Sequence, residues 1–184
     1  MAKIEKLAYE RPLIKKIVTG MPNKFGMRTE YEPMTHIEGV SVKRLVADFG
    51  SPLFVISENI LRRNYQLAKK AFSNRYPQVQ FAWSYKTNYL NAICQTFHQE
   101  GSWAEVVSGF EYEKALANKV PGNRIIFNGP DKTKEDLLKA INNDSFIHID
   151  HLDELYMLIE LATEMGKKPK VAIRVNMDTG VYPM

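Results

Sequence analysis

The sequence predicts an α/β fold of the (β/α)₈ (TIM) barrel type, and three observations support that prediction. Short apolar strands alternate with amphipathic helices, which is typical of a parallel sheet with helical crossovers. The predicted strands begin at regular intervals, at residues 81, 104, 125, 146 and 170. Neither a G-x-G-x-x-G run nor a Walker A sequence follows any strand, which disfavours the common nucleotide-binding open sheets.

Each predicted strand has an apolar face and a second face that carries a polar or charged residue near its C-terminal end. The strands are FAWSYK (81–86), AEVVS (104–108), IIFN (125–128), FIHID (146–150) and KVAIRVN (170–176). Successive side chains of a strand point to opposite faces, so Trp83 and Tyr85 share the face that would meet the helices. Ser84 and Lys86 share the opposite face. Such an inner face, with chemistry at the C-terminal mouth, is typical of a barrel.

Upstream of this repeat, residues 1–40 predict an irregular N-terminal extension. VSVKRLVADFG predicts a short helix that ends at Gly50, and PLFVIS predicts a strand from Leu53 to Ile56. A long helix is expected from about Glu58 to Tyr76. We interpret residues 41–57 as a segment of a separate β-domain and residues 58–184 as the first part of the barrel.

The helix HLDELYMLIELATEM shows apolar residues at i, i+3, i+4 and i+7, which predicts a buried face. The residues concerned are Leu152, Leu155, Tyr156 and Ile159. Five strands do not close an eight-stranded barrel, which needs roughly 250 residues. We therefore interpret the 184-residue chain as an incomplete barrel.

Composition and charge exclude several classes of protein. The net charge is +4, but acidic residues are interspersed with the lysines, so nucleic-acid binding is disfavoured. No apolar run is long enough to span a membrane, and the N-terminus lacks the apolar core of a secretory signal, which favours a cytoplasmic protein. The single cysteine, Cys94, lies on an apolar helix face and is expected to be buried. Histidines show no metal-ligand spacing.

Lys86 is the first candidate for chemistry. A lysine near the end of a buried parallel strand is costly to desolvate, so it should be paired or functional. Burial there would leave more of its amine uncharged, as a Schiff base with an aldehyde cofactor requires. Alternatively, the lysine lies just past the strand and extends to solvent. The strand pattern alone leaves both possibilities open.

Six motifs in order between Gly50 and Asn176 resemble the alanine-racemase-fold (fold-type III) decarboxylases of diaminopimelate, ornithine and arginine. GSPLFVIS resembles their entry strand, and SYKTN resembles the Y-A-x-K-x-N motif of the cofactor lysine. The remaining matches are GSWAEVVSGFEYEKAL, NRIIFNGPDKTKEDLLKAI, IDHLDEL and VAIRVN. Tyr85 departs from the family pattern, because a smaller residue usually precedes the lysine.

The resemblance implies a homodimeric carboxy-lyase that uses pyridoxal 5′-phosphate, bound as a Schiff base to Lys86, to decarboxylate an amino acid. It implies a diaminopimelate-like or other basic or dicarboxylic substrate. It also implies that Arg174 and Glu105 lie on the cofactor side, while strand alternation places His148 on the same inner face, where its imidazole could stack on the cofactor. Arg174 could instead pair with a barrel carboxylate, Glu105 could form a plain salt bridge, and His148 could simply line the barrel. The 184-residue chain alone is expected to be inactive.

Two other functions remain open from the sequence. One is an amino-acid racemase or a cofactor-carrier protein of the same fold, and the other is a non-catalytic regulatory homologue. Some polar residues have sufficient structural explanations. Ser108 with Glu111, and Thr133 with Asp136, fit capping boxes at helix starts. Asn88 is expected to fix the loop after the first strand or to cap its helix.

Overall fold

The structure, a computed structural model, describes residues 33–175 and divides the chain into two compact units, Met1–Phe54 and Val55–Met184. In the described part of the first unit, β1 (His36–Ile37) and β2 (Val40–Ser41) form an antiparallel hairpin. Helix α1 (Val42–Phe49) follows directly. Gly50 ends this helix with a φ of 85°, a conformation that favours glycine, so the predicted helix stop is confirmed.

The predicted strand from Leu53 to Ile56 is wrong. These residues belong to no strand, and their four apolar side chains are between 37% and 96% exposed. A strand must share its backbone hydrogen bonds with a neighbour, and none of the strands within residues 33–175 pairs with this segment. An apolar run is therefore insufficient to define a strand here.

The second unit contains a parallel sheet of five strands in the order β3-β4-β5-β6-β7. The strands are β3 (Ala82–Ser84), β4 (Trp103–Val106), β5 (Ile125–Phe127), β6 (Phe146–Ile149) and β7 (Lys170–Ile173). The helices are α2 (Glu58–Ser73), α3 (Asn91–Gln99), α4 (Gly109–Ala117), α5 (Lys134–Asn142) and α6 (Leu152–Met165). Spatial order follows chain order without a reversal, which is the arrangement of a barrel wall. The predicted α/β architecture is confirmed as a partial barrel.

The core lies between the sheet and its helices. In β4, β5 and β6, alternate residues are buried against the helices, and the main cluster includes Val106, Phe127 and Ile147. The intervening residues, such as Glu105 and His148, are only partly buried on the other face. This alternation confirms the predicted faces of the FIHID strand, whereas the predicted apolar face of the last strand, Val171 and Ile173, is 48% and 72% exposed. None of the helices within the described residues is long and apolar enough to cross a membrane.

Helix α6 forms as predicted but buries a different face. Leu158 and Leu161 lie in the core, whereas Leu152, Tyr156 and Ile159 are 66%, 64% and 53% exposed. The helix carries two apolar stripes, and the periodicity argument selected the wrong one. The buried stripe also contains a charged residue, Glu154, because its carboxylate pairs with the buried Lys132 on the loop after β5.

Two predicted helix caps differ in outcome. Thr133 and Asp136 form a complete capping box, with reciprocal hydrogen bonds of 3.1 and 3.2 Å. Ser108 accepts a hydrogen bond from the backbone N–H of Glu111 at 3.3 Å, as predicted. The Glu111 carboxylate, however, accepts from the backbone N–H of Val107 at 2.8 Å, one residue before the cap. The second half of that predicted box is therefore replaced by a bond to the end of β4.

Candidate functional site

The C-terminal ends of the parallel strands bring polar residues to one edge of the sheet. Asn128, Asp150 and Arg174 each come directly after a strand, and Lys86 follows β3 by two residues. The strand register also places Glu105 of β4 beside Ser84 of β3. Ligand and active sites of parallel α/β folds occupy this edge. It is therefore the candidate site.

Lys86 lies in the turn that follows β3, and it is exposed. Its side chain lines a surface pocket together with the neighbouring residues 87–90. Within residues 33–175, its Nζ has no hydrogen-bond or ion-pair partner. Of the two possibilities that the strand pattern left open, the structure matches the second: β3 ends at Ser84 and the chain turns there, so Lys86 lies just past the strand and extends to solvent. An accessible primary amine without a partner can react with an aldehyde.

Tyr85, immediately before Lys86, is fully buried on the helix side, as its position in the strand predicts. Its hydroxyl lies 2.9 Å from Nε2 of His98 and accepts a 3.3 Å hydrogen bond from Asn118. The other ring nitrogen of His98 lies 3.0 Å from the carbonyl oxygen of Ser102. Burial raises the pKa of Tyr85 and lowers the pKa of His98, so both side chains are neutral near pH 7. This network fixes the backbone that carries Lys86.

The loop after Lys86 is fixed by Asn88, as one of the two predicted roles requires. Its side-chain oxygen accepts a hydrogen bond of 3.0 Å from the backbone N–H of Leu90. Its carbonyl oxygen accepts from the indole N–H of Trp83 at 2.9 Å. The ring of Trp83 stacks on Phe97 of α3, with centroids 4.0 Å apart. The segment on both sides of Lys86 is therefore attached to the core.

Glu105 lies on the inner face of β4 and is held by neutral donors. Ser84 donates its hydroxyl to one carboxylate oxygen, and Asn128 donates its amide to the other at 3.1 Å. None of the ion pairs within residues 33–175 includes Glu105, so the salt bridge considered from the sequence is not found there. Asn128 was missed by the sequence analysis, although it follows β5 on the inward-facing parity.

His148 and Arg174 lie on the inner faces of β6 and of the segment after β7. Burial lowers the pKa of His148, the Glu105 carboxylate opposes that shift, and Lys132 adds to it. Arg174 donates to the carboxylate of Asp150 at 2.7 Å while half of its side chain stays exposed. The guanidinium lowers the pKa of Asp150. The structure thus shows the arginine–carboxylate pair that the sequence left as an alternative, and a cofactor role for either residue stays a prediction.

The sequence analysis also missed a buried ion pair beneath this edge. Lys132, on the loop after β5, lies 2.7 Å from the carboxylate of Glu154 in the first turn of α6. Hydrophobic periodicity gives no signal for such a pair, because both residues look like solvated surface charges in the sequence. Within the described part of the chain, no cluster of three or more His, Cys, Asp or Glu residues could hold a metal ion.

Residues 59–182 match the family model described as the pyridoxal-binding domain of pyridoxal-dependent decarboxylases. The chain belongs to this family. Diaminopimelate decarboxylase from Aquifex aeolicus is 34% identical over 143 residues, which make up 77% of this chain and 33% of that protein. Diaminopimelate decarboxylase from Methanocaldococcus jannaschii is 36% identical over 145 residues, 76% of this chain and 33% of the relative.

Solved structures agree with this membership. A crystal structure of diaminopimelate decarboxylase from M. jannaschii superposes with a TM-score of 0.69 at 34% identity, covering 78% of this chain and 34% of that one. A lysine/ornithine decarboxylase from Vibrio vulnificus gives 0.60 at 22% identity, covering 73% and 35%, which supports the fold alone. The chain spans about a third of the length of the relatives it matches.

Pyridoxal phosphate is the cofactor of this decarboxylase family, and the residues of the candidate site fit it. The cofactor carries an aldehyde, which a free lysine amine can bind covalently. Lys86 supplies such an amine beside a surface pocket. Glu105, His148 and Arg174 add polar and charged groups on the inner face of the same sheet. Every buried side-chain N or O atom within residues 33–175 has a hydrogen-bond partner, so the buried polar groups that support the site are satisfied.

Proposed function

We propose that this protein decarboxylates an amino acid with pyridoxal phosphate bound covalently to Lys86. The observation that carries the proposal is the exposed amine of Lys86, which has no partner within residues 33–175, at the C-terminal edge of a sheet in a chain of the pyridoxal-dependent decarboxylase family. Lys132, the other lysine described at this edge, is buried and has three partners. Lys86 is therefore the residue with the reactive amine.

The cofactor supplies an electron-accepting ring for the loss of carbon dioxide from an amino acid. The protein supplies position. The buried hydroxyl of Tyr85 fixes the start of the turn, and Asn88 fixes its other side. The Lys86 side chain between them would hold the cofactor through its amine. Tyr85 and Asn88 fix the backbone on either side of Lys86, and neither forms a hydrogen bond with its amine.

We propose that Glu105, His148 and Arg174 face the cofactor. Ser84 and Asn128 fix both oxygens of the Glu105 carboxylate, so its negative charge has a defined position on the inner face. Arg174 is oriented by Asp150 yet remains half exposed, which leaves donors for an anionic group of a ligand. His148 lies two strands from Glu105 on the same inner face, and burial lowers its pKa, so the imidazole is neutral near pH 7.

Diaminopimelate is the substrate we propose. The relatives above 30% identity named here are diaminopimelate decarboxylases, and one solved structure at 34% identity, with a TM-score of 0.67, contains L-lysine. Removal of one carboxyl group from diaminopimelate yields lysine. We also propose that the protein works as a homodimer in the cytoplasm and that residues 41–57 belong to a separate β-domain.

Lys86 is tested by treating the purified full-length protein with pyridoxal phosphate and borohydride, followed by intact mass measurement and peptide mapping. We expect one pyridoxyl-phosphate group on the peptide that contains Lys86. The Lys86→Ala variant is the control and should remain unlabelled. Labelling of wild type at another lysine, or no labelling, contradicts the proposal.

The reaction is tested with full-length protein that has been supplied with pyridoxal phosphate and not treated with borohydride. The release of carbon dioxide is measured with meso-diaminopimelate, L-ornithine and L-arginine. We expect diaminopimelate to have the highest kcat/KM. A preference for ornithine or arginine would overturn the substrate but keep the reaction class. Racemisation of any of these amino acids without release of carbon dioxide would overturn the reaction class itself.

A further inference from the structure

We infer that the buried Lys132–Glu154 pair positions the C-terminal end of β6, and with it His148 and Asp150, for the candidate site. The inference rests on the proposed function, because it assigns Lys132 and Glu154 as positioning residues of that same site. Neither residue reaches the site edge with its own side chain. Both act through the backbone atoms that they bind.

The pair is fully enclosed. The side chains of Lys132 and Glu154 are 0% and 1% exposed. Lys132 Nζ donates three hydrogen bonds, to the carbonyl oxygen of Gly129 at 2.6 Å, to the carbonyl oxygen of His148 at 2.9 Å and to Glu154 at 2.7 Å. These are all the donors that a lysine ammonium has. One proton therefore bonds within the β5–α5 loop, and the other two join that loop to β6 and α6.

Glu154 completes the connection to the end of β6. Its second carboxylate oxygen accepts a hydrogen bond from the backbone N–H of Asp150 at 3.1 Å. The pair thus binds the backbone of His148 and the backbone of Asp150, on either side of the last residue of the strand. The Asp150 side chain then pairs with Arg174 at 2.7 Å. Asp150 is therefore bound by the buried pair through its backbone N–H and by Arg174 through its carboxylate.

His151 also joins the loop after β5 to the start of α6. His151 accepts a hydrogen bond from the backbone N–H of Glu154 through Nδ1 at 3.3 Å, so it caps α6. Its other ring nitrogen, Nε2, lies 3.0 Å from the carbonyl oxygen of Pro130. The loop after β5 is therefore bound to the start of α6 at two points, which limits independent movement of the β6 end.

Stability alone is a poor explanation for burying these charges. Removing two ions from water is costly, and an uncharged pair of similar volume often stabilises a fold as well or better. What an ion pair adds is a defined geometry at the backbone atoms that it binds. Those atoms belong to the residues that carry the His148 and Asp150 side chains. The placement of the charges therefore matches a positioning role.

The test uses the full-length holoenzyme with Lys132→Met, Glu154→Gln and the double variant. The double variant removes both charges while its glutamine can still accept from Asp150 N–H, so it should regain much of the stability that each single variant loses. The matched control is Lys134→Met/Glu160→Gln. That pair joins α5 to α6 at 3.4 Å, with side chains 46% and 58% exposed.

We expect the folded double variant to keep kcat at about one tenth to one hundredth of wild type, with KM changed much less, because small displacements near reacting groups have effects of this size. The visible circular dichroism of the bound cofactor and hydrogen exchange at the Asp150 amide should both change. The control pair should match wild type in all of these measurements. A double variant with wild-type kcat, circular dichroism and Asp150 exchange would show that the pair is merely structural and overturn the inference.

The borohydride experiment separates this inference from the proposed function. If wild-type Lys86 takes no pyridoxyl group, the proposed function fails whatever the Lys132 variants do. If Lys86 is labelled in wild type and in a folded double variant whose kcat and dichroism are unchanged, only the positioning role fails.

Discussion

Two lysines follow strands of the same sheet, and their surroundings are opposite. Lys86, after β3, is exposed and has no partner for its amine among residues 33–175. Lys132, after β5, is buried and directs three hydrogen bonds to two carbonyl oxygens and a carboxylate. Lys132 Nζ can act as a nucleophile only by giving up those hydrogen bonds, whereas no such bond has to be broken at Lys86 within the described residues. The contrast supports the proposed chemistry at the first lysine and the proposed positioning role of the second.

The supporting networks differ in the same way. Beneath Lys86, the side chains of Tyr85, His98 and Asn118 form a neutral hydrogen-bonded group. Around Lys132 the support is charged and enclosed, with Glu154 as the counter-ion. A neutral network beside Lys86 supplies no carboxylate to compete for its amine. Each lysine therefore has surroundings that match its assigned role, and both assignments can be tested by substitution.

The largest effect is expected for Lys86→Ala. Loss of the amine should abolish the borohydride-trapped adduct and reduce decarboxylation by about 1,000-fold or more, because the covalent route is removed. The free energy of unfolding should change by less than about 0.5 kcal/mol, since an exposed, unpaired side chain is lost. Carbon dioxide release and urea unfolding measure the two quantities. Lys86→Arg is the control: it keeps the charge and should be equally inactive.

Lys132→Met should have the opposite profile, with a large cost in stability. The substitution leaves the Glu154 carboxylate buried without its counter-ion, and breaking a buried pair in this way costs about 3–5 kcal/mol. Lys134→Met, at an exposed pair, should cost less than about 1 kcal/mol. Urea unfolding of both variants beside Lys86→Met checks the contrast. Equal destabilisation by Lys86→Met and Lys132→Met would remove the distinction between the two lysines.

The sequence predicted the barrel strands, because strand periodicity and turn residues are local signals. It failed where pairing across the chain decides the structure. The apolar Leu53–Ile56 run finds no partner strand among the described residues, so it is not a strand. The buried face of α6 includes Glu154, which an apolar pattern cannot select without knowing that Lys132 meets it. Both errors come from contacts between residues distant in sequence.

The site residues also separate into those that local signals predicted and those that depend on contacts between distant parts of the chain. Tyr85 faces the helices, as its alternation within the strand predicts. Asn128 and the Asp150–Arg174 pair required the strand register, because their partners lie on neighbouring strands 23 and 24 residues away. Lys86 was expected in the strand, but the strand ends two residues earlier. Local alternation continues past the point where the chain turns, and sequence gives no signal for that end.

A smaller effect is expected for Tyr85→Phe, which removes one hydroxyl from beneath Lys86. His98 and Asn118 lose a partner, and the partly buried His98 ring nitrogen is left unpaired, at a cost of about 1–2 kcal/mol. Tyr156→Phe, with a ring that is 64% exposed, is the matched control and should be neutral. If the network fixes Lys86, the pyridoxyl labelling of Tyr85→Phe should be slower. Unchanged labelling together with lost stability would restrict Tyr85 to the core.

The smallest effect is a dependence on pH that originates beneath Lys86. Burial lowers the pKa of His98 in the folded protein from its ordinary value of 6.5. The unfolded chain therefore binds a proton more readily, and the stability contributed by neutral His98 is complete above about pH 6.5 and lost as the pH falls through the folded pKa. His148 shifts in the same direction, so the comparison must isolate His98. Urea unfolding at intervals between about pH 7.5 and pH 5 should show a shallower loss of stability in His98→Gln than in wild type. If the stability of His98→Gln and of wild type changes equally with pH, protonation of His98 does not contribute to the loss of stability. The difference between the two lysines would then rest on the surroundings of Lys132 alone.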